Sequence, residues 1–135
     1  MAYKIDEIEG VGPAYREKLE TAKITTTDQL LEFCCEPKGR KKVAEDTGIG
    51  ESQLLRWSNM ADMMRISGVG PQFAELLEAS GVDTVKELQH RNAENLAAKM
   101  AEINAEKNLA KSSPADSIVQ RWIDQAKELK PTIQH

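Results

Sequence analysis

One stretch of the sequence occurs twice, 58 residues apart. Ile8-Glu9-Gly10-Val11-Gly12-Pro13-Ala14-Tyr15 aligns with Ile66-Ser67-Gly68-Val69-Gly70-Pro71-Gln72-Phe73. The match continues through Leu19 with Leu77, Ile24 with Val82, Thr26 with Thr84 and Leu30 with Leu88. Arg56-Trp57 then matches Arg121-Trp122 at an offset of 65, so the second copy carries about seven extra residues. An internal repeat of this size sets the architecture before any other feature does. The chain of 135 residues divides into related halves, 1–64 and 65–135. No Pro-, Gly- or Ser-rich linker separates them, so they are expected to pack as one compact body.

The residues within each copy predict an all-α fold of two tandem four-helix repeats. Ala, Leu, Glu, Lys, Met and Gln are plentiful, and all favour helices. No run alternates β-branched and aromatic residues long enough for a strand. Lys23-Ile24-Thr25-Thr26-Thr27 reads as a turn into a helix. Pro13 and Pro71 suit the first position of a helix, where a missing N–H costs nothing. These first helices are expected to run to about Ala22 and Ala79. Thr26 with Gln29, and Thr84 with Glu87, have the spacing of a capping box that opens the second helices. The third helices are expected over about 38–46 and 93–109, and the fourth over about 51–64 and 115–129. Ser113-Pro114 reads as the start of the last helix, and the residues from Pro131 onward as frayed.

Each copy opens on Gly-Val-Gly just before a helix. The first Gly permits positive φ, and the second lets another backbone approach closely. The loop amides lie beside the partial positive charge of a helix N-terminus and can hold an anion. Val11 and Val69 are expected to point inward as anchors. On Ile8, Gly10, Val11, Gly12 and Pro13, and on Ile66, Gly68, Val69, Gly70 and Pro71, the sequence resembles the helix-hairpin-helix superfamily. Over nearly its whole length it also resembles an uncharacterised bacterial family of tandem hairpins of this kind, which brings a fold and no established activity. The superfamily resemblance implies sequence-independent contact with the sugar-phosphate backbone of DNA or RNA. DNA-binding members usually carry Lys or Arg two residues after the second Gly; here Ala14 and Gln72 stand there.

Net charge limits how such contact can work. Lys and Arg number 18 against 22 Asp and Glu, a net of −4, so bulk attraction to phosphate is excluded. Locally, Lys38, Arg40, Lys41 and Lys42 cluster, and Arg16 and Lys18 follow the first loop. The candidate nucleic-acid-binding set is therefore Gly10, Val11, Gly12, Arg16, Lys18, Lys38, Arg40, Lys41, Lys42, Gly68, Val69 and Gly70. An alternative makes the loops purely structural and gives the chain a protein partner, or a second copy of itself, on its acidic surface and the methionines Met60, Met63 and Met64.

Other chemistries find no residue pattern. There is no Gly-x-x-x-x-Gly-Lys-Ser/Thr phosphate loop and no Ser-His-Asp set, so no enzyme and no small-molecule substrate are expected. Cys34-Cys35 lacks the spacing and the histidine partners of a metal site, the only histidines being His90 and His135. No metal or cofactor is expected, and the cysteines read as a reduced, partly buried pair. Trp57 and Trp122 sit at core spacing, with Tyr15 and Phe73 bracing the loops. Residues Met1-Ala2-Tyr3-Lys4-Ile5-Asp6-Glu7 hold no apolar core for a signal peptide, and no stretch suits a membrane helix. A cytoplasmic location is expected.

Overall fold

The computed structural model describes residues 3–134; Met1, Ala2 and His135 lie outside the described residues. The described residues form eight α-helices and no β-strand. They are α1 (Pro13–Thr21), α2 (Thr27–Cys34), α3 (Pro37–Thr47), α4 (Glu51–Met63), α5 (Pro71–Ala79), α6 (Val85–Gln89), α7 (Ala93–Lys107) and α8 (Asp116–Glu128). Two compact units emerge, Met1–Asp62 with Pro131–His135, and Met63–Lys130. The C-terminal segment thus belongs with the first unit rather than with the second half of the sequence.

In the first unit, Gly12 is the N-cap of α1 and Pro13 its first residue. The helix ends where Lys23 turns to φ 66°, and the Ile24 N–H then donates to the Leu19 carbonyl at 2.9 Å. Thr26 opens α2 with a capping box: its hydroxyl accepts from the Gln29 N–H, and the Gln29 side chain accepts from the Thr26 N–H. Residues before α1 tie back to this turn through the Ile5 N–H to the Thr25 carbonyl and the Thr27 N–H to the Tyr3 carbonyl. Pro37 starts α3, and Gly48 at φ 77° stops it. Ile5, Ile8, Val11, Leu19, Ile24, Leu30, Leu54 and Trp57 are buried.

The second unit uses similar local devices. Gly70 is the N-cap of α5 and Pro71 its first residue. Gly81, at φ 94°, ends the turn after α5, where the Val82 N–H donates to the Leu77 carbonyl at 2.9 Å. The Thr84 hydroxyl caps α6 by accepting from the Glu87 N–H, and the Asn92 side chain caps α7 by accepting from the Asn95 N–H. Ile66, Val69, Leu77, Val82, Leu88 and Trp122 are buried, at positions that match buried residues of the first unit. The α8 helix departs from expectation. Its N-cap is Ala115, which makes no side-chain capping bond, and Ser113-Pro114 lies ahead of the helix.

Two further expectations change. The residues after Pro131 are held: the Gln134 N–H donates to the Cys35 carbonyl at 2.7 Å, and the Gln134 carbonyl accepts from Arg40 Nη2 at 2.6 Å. Met60, Met63 and Met64 are buried rather than facing outward to a partner.

Candidate nucleic-acid interface

The two Gly-Val-Gly loops are built alike. Gly10 has φ 96° and Gly68 φ 93°, values that side-chain-bearing residues rarely adopt. Val11 and Val69 are buried beneath the loops. The Val11 N–H donates to the Ile8 carbonyl at 3.1 Å, and the Val69 N–H to the Ile66 carbonyl at 3.0 Å. The central amide of each loop is therefore used within the loop. Amides of the flanking glycines and of the following first helical turn remain as the groups that an anion could meet. First-turn N–H groups have no acceptor inside their own helix, and neither α1 nor α5 receives a side-chain cap. Gly10, Gly12 and Gly68 are exposed and Gly70 is half-buried. A Cβ added at Gly12 would meet nothing within 4 Å.

Aromatic pairs stand under both loops. Tyr15 meets Trp57 edge-on with centroids 5.1 Å apart, and Phe73 meets Trp122 at 5.2 Å. Both tryptophans are buried, which removes them as stacking platforms for bases. A Cβ at Gly10 would lie 3.3 Å from Trp57 Nε1, and one at Gly68 would lie 3.1 Å from Trp122 Nε1. Each first glycine therefore serves its left-handed turn and its close contact with an indole at once.

The cations divide. Lys38, Lys41 and Lys42 are exposed on α3. Arg40 is buried among them, and its guanidinium donates to the Cys34 carbonyl at 2.9 Å and to the Gln134 carbonyl at 2.6 Å. Arg40 therefore leaves the candidate set: its charge is spent on backbone carbonyls inside the first unit. Arg16 pairs with Asp6 at 3.3 Å and with Glu20 at 3.7 Å on the surface. Lys18 Nζ stands 5.7 Å from the Tyr15 ring centroid. Solvated pairs such as those of Arg16 are worth little.

Two further residues of α4 lie beside the first loop that its sequence does not mark as loop neighbours. A Cβ at Gly10 would also lie 3.4 Å from Arg56 Nη1 and 3.8 Å from Gln53 Nε2. The recurrence of Arg-Trp in both copies marks this part of α4 as shared scaffold without saying which loop it faces. In the second unit the neighbour is different: Gln125 Oε1 accepts from the Ser67 N–H at 3.0 Å, and Gln125 Nε2 donates to the Ser67 carbonyl at 3.4 Å.

The cysteines are both free, Cys34 buried and Cys35 half-buried. Burial pushes the Cys34 thiol up to about 11, against opposing pulls from Arg40 and from a Ser58 hydrogen bond. Among the described residues, no group of three His, Cys, Asp or Glu side chains is placed to hold a metal ion. No described helix is long and apolar enough to cross a membrane.

Fold and loops together define an all-α protein whose two units each carry a Gly-Val-Gly turn at a helix start. The chain belongs to the family described as Domain of unknown function (DUF4332), which it matches over residues 9–129. No curated protein and no solved structure matches it.

Proposed function

We propose that this chain is a non-catalytic module that contacts nucleic-acid phosphates, without reading bases, through the backbone amides of its Gly-Val-Gly loops. On this reading the two units are tandem four-helix repeats, each opening with a helix-hairpin-helix motif. The observation that carries it is the state of the loops: Gly10, Gly12 and Gly68 exposed and Gly70 half-buried, leading into helices whose first turns have no side-chain cap. Uncapped helix starts attract anions because unpaired N–H groups and the helix dipole act together. Had both loops been covered by other helices, this function would have no surface to act through.

The net charge of −4 keeps the contact small. Only Arg16, Lys18, Lys38, Lys41 and Lys42 remain as exposed cations of the candidate set. Affinity is expected on the order of 1–100 µM at low salt, weakening as salt rises with the slope of a few phosphates. Fluorescence anisotropy with labelled single- and double-stranded DNA and RNA tests this. No affinity for any of the four at low salt refutes the proposal.

A second reading, a protein-interaction module, draws on one observation. Phe33 is 41% exposed, at a groove of about 370 Å³ that Cys35, Lys38 and Lys42 also line. Analytical ultracentrifugation of the chain alone tests its self-associating form.

A further inference from the structure

The two loops have the same backbone and different surroundings. Beside Gly10, α4 brings three side-chain nitrogens together: Trp57 Nε1 at 3.3 Å, Arg56 Nη1 at 3.4 Å and Gln53 Nε2 at 3.8 Å from the position that a Cβ would take. Beside Gly68, only the Trp122 indole comes within 4 Å of that position. By the alignment of Arg56-Trp57 with Arg121-Trp122, Gln53 corresponds to Ile118 and Met60 to Gln125. The second unit thus loses one hydrogen-bonding side chain beside its loop and gains another that binds the loop itself. Gln125 closes on both backbone groups of Ser67. Its counterpart Met60 is buried and apolar, so Glu9, the counterpart of Ser67, receives no such clamp from that position.

The Trp57 indole supplies a further sign. Trp57 is fully buried, and its Nε1 has no hydrogen-bond partner. Buried N–H groups are nearly always paired, and the exceptions call for an explanation. This one faces Gly10, where only a hydrogen stands between the indole and the exposed edge of the loop. An acceptor arriving at that edge would meet a guanidinium and a carboxamide from α4, with the unpartnered indole N–H directly behind Gly10. The uncapped first turn of α1 starts just beyond it, after Gly12.

We propose that the first loop alone is the phosphate-contacting site, walled by Gln53, Arg56 and Trp57 of α4, and that the second loop is a structural copy. The proposal rests on the nucleic-acid reading above and narrows it to one loop. The ligand is a phosphodiester of a nucleic-acid backbone. One phosphate is gripped by a guanidinium, whose planar fork suits phosphate oxygens, and by loop amides.

The test is a ¹H–¹⁵N titration of the full chain with a short mixed-sequence DNA duplex at low salt. Two indole N–H signals are expected, and a Trp122→Phe variant assigns them. The Trp57 signal is expected to move with the duplex while the Trp122 signal stays. In parallel anisotropy measurements, Arg56→Gln is expected to weaken binding about fivefold and to lower the salt slope by about one phosphate's share. The matched Arg121→Gln is expected to change affinity less than about twofold, as an exposed charge outside the site does. Gln53→Ile, which removes the carboxamide and installs the residue that Ile118 supplies at the matched position of α8, is likewise expected to weaken binding, and it carries the test should Arg56→Gln fail to fold. Binding that responds equally to Arg56→Gln and Arg121→Gln overturns this inference and leaves the broader function standing. An equal Trp57 shift with inorganic phosphate at the same concentration overturns the nucleic-acid assignment of the site. Absence of any duplex binding overturns both.

Discussion

Gly10→Ala and Gly12→Ala place the same methyl group two residues apart in one loop, and the geometry predicts opposite outcomes. Gly10 sits at φ 96°, where an L-residue costs about 1–2 kcal/mol. Its new Cβ would also lie 3.3 Å from Trp57 Nε1 and 3.4 Å from Arg56 Nη1. Arg56 can yield, being a flexible side chain. Trp57 is fully buried and edge-packed against Tyr15, so the indole yields only by disturbing its neighbours. Together these effects come to about 2–3 kcal/mol. Gly12 is different. Its φ of −85° and ψ of −176° are ordinary extended values, and its Cβ would meet nothing within 4 Å. Alanine is a poorer N-cap than glycine, but it also reduces the freedom of the unfolded chain, and the two effects nearly cancel within about 0.5 kcal/mol.

Urea unfolding followed by Trp57 fluorescence, in a Trp122→Phe background, measures both variants in the unit that carries the loop. With a slope of about 1 kcal/mol per molar urea for a unit of this size, Gly10→Ala should lower the midpoint by about 2–3 M and Gly12→Ala should shift it by less than about 0.5 M. Equal shifts would refute the argument that left-handed geometry and the indole contact fix Gly10. The pair also separates fold from function. Gly12→Ala leaves the unit intact while setting a methyl group on the exposed edge where a phosphate would approach, so its duplex affinity should fall without any loss of helix signal.

Arg40→Met removes a buried cation and leaves the Cys34 and Gln134 carbonyls without their donor; a loss of about 2–3 kcal/mol in urea unfolding is expected, with faster exchange of the Gln134 amide. A thiol-reactive disulfide reagent under native conditions should label Cys35 and spare Cys34, so Cys35→Ser abolishes the fast reaction and Cys34→Ser keeps it. Because the folded Cys34 thiol is raised from 9.0 to about 11, the unfolded chain loses that proton first. Stability should therefore be unaffected by this group below pH 9 and should fall between pH 9 and 11, by up to about 3 kcal/mol relative to Cys34→Ala.

Local signals carried most of the helix starts. Pro13, Pro71 and Thr26 act within one turn of their own positions, and each stands where its chemistry calls for it. Ser113-Pro114 failed because the same pair serves equally well in a loop, and Ala115 caps the helix without a side-chain bond. Arg40 was misread for a different reason. Four cations in five residues look like a solvated face, yet Arg40 shares the buried side of α3 with Val43, three residues on. That spacing was legible; its partner Gln134, 94 residues away, was not. The donors beside Gly10 were hidden likewise, because the sequence marks Trp57 as core but does not say which loop it faces.

The repeat itself sorts what was copied from what diverged. The left-handed glycines, the valine anchors, the aromatic pairs and the buried tryptophans occur in both units. Duplication preserves structural needs as faithfully as functional ones, so this shared set explains why each loop folds and leaves open which loop binds. Differences between the copies carry that information. Gln53 against Ile118 and Met60 against Gln125 change polarity beside the loops without touching the shared scaffold. A chain with a net charge of −4 cannot hold phosphate by field alone, so every contact has to come from oriented donors at short range. Three side-chain nitrogens gather at Gly10, whereas only the Trp122 indole stands as close to Gly68 and Gln125 binds the residue before it. An acidic protein with one such corner should show a shallow salt dependence and saturate at one phosphate cluster per chain, where two working loops would show a steeper slope.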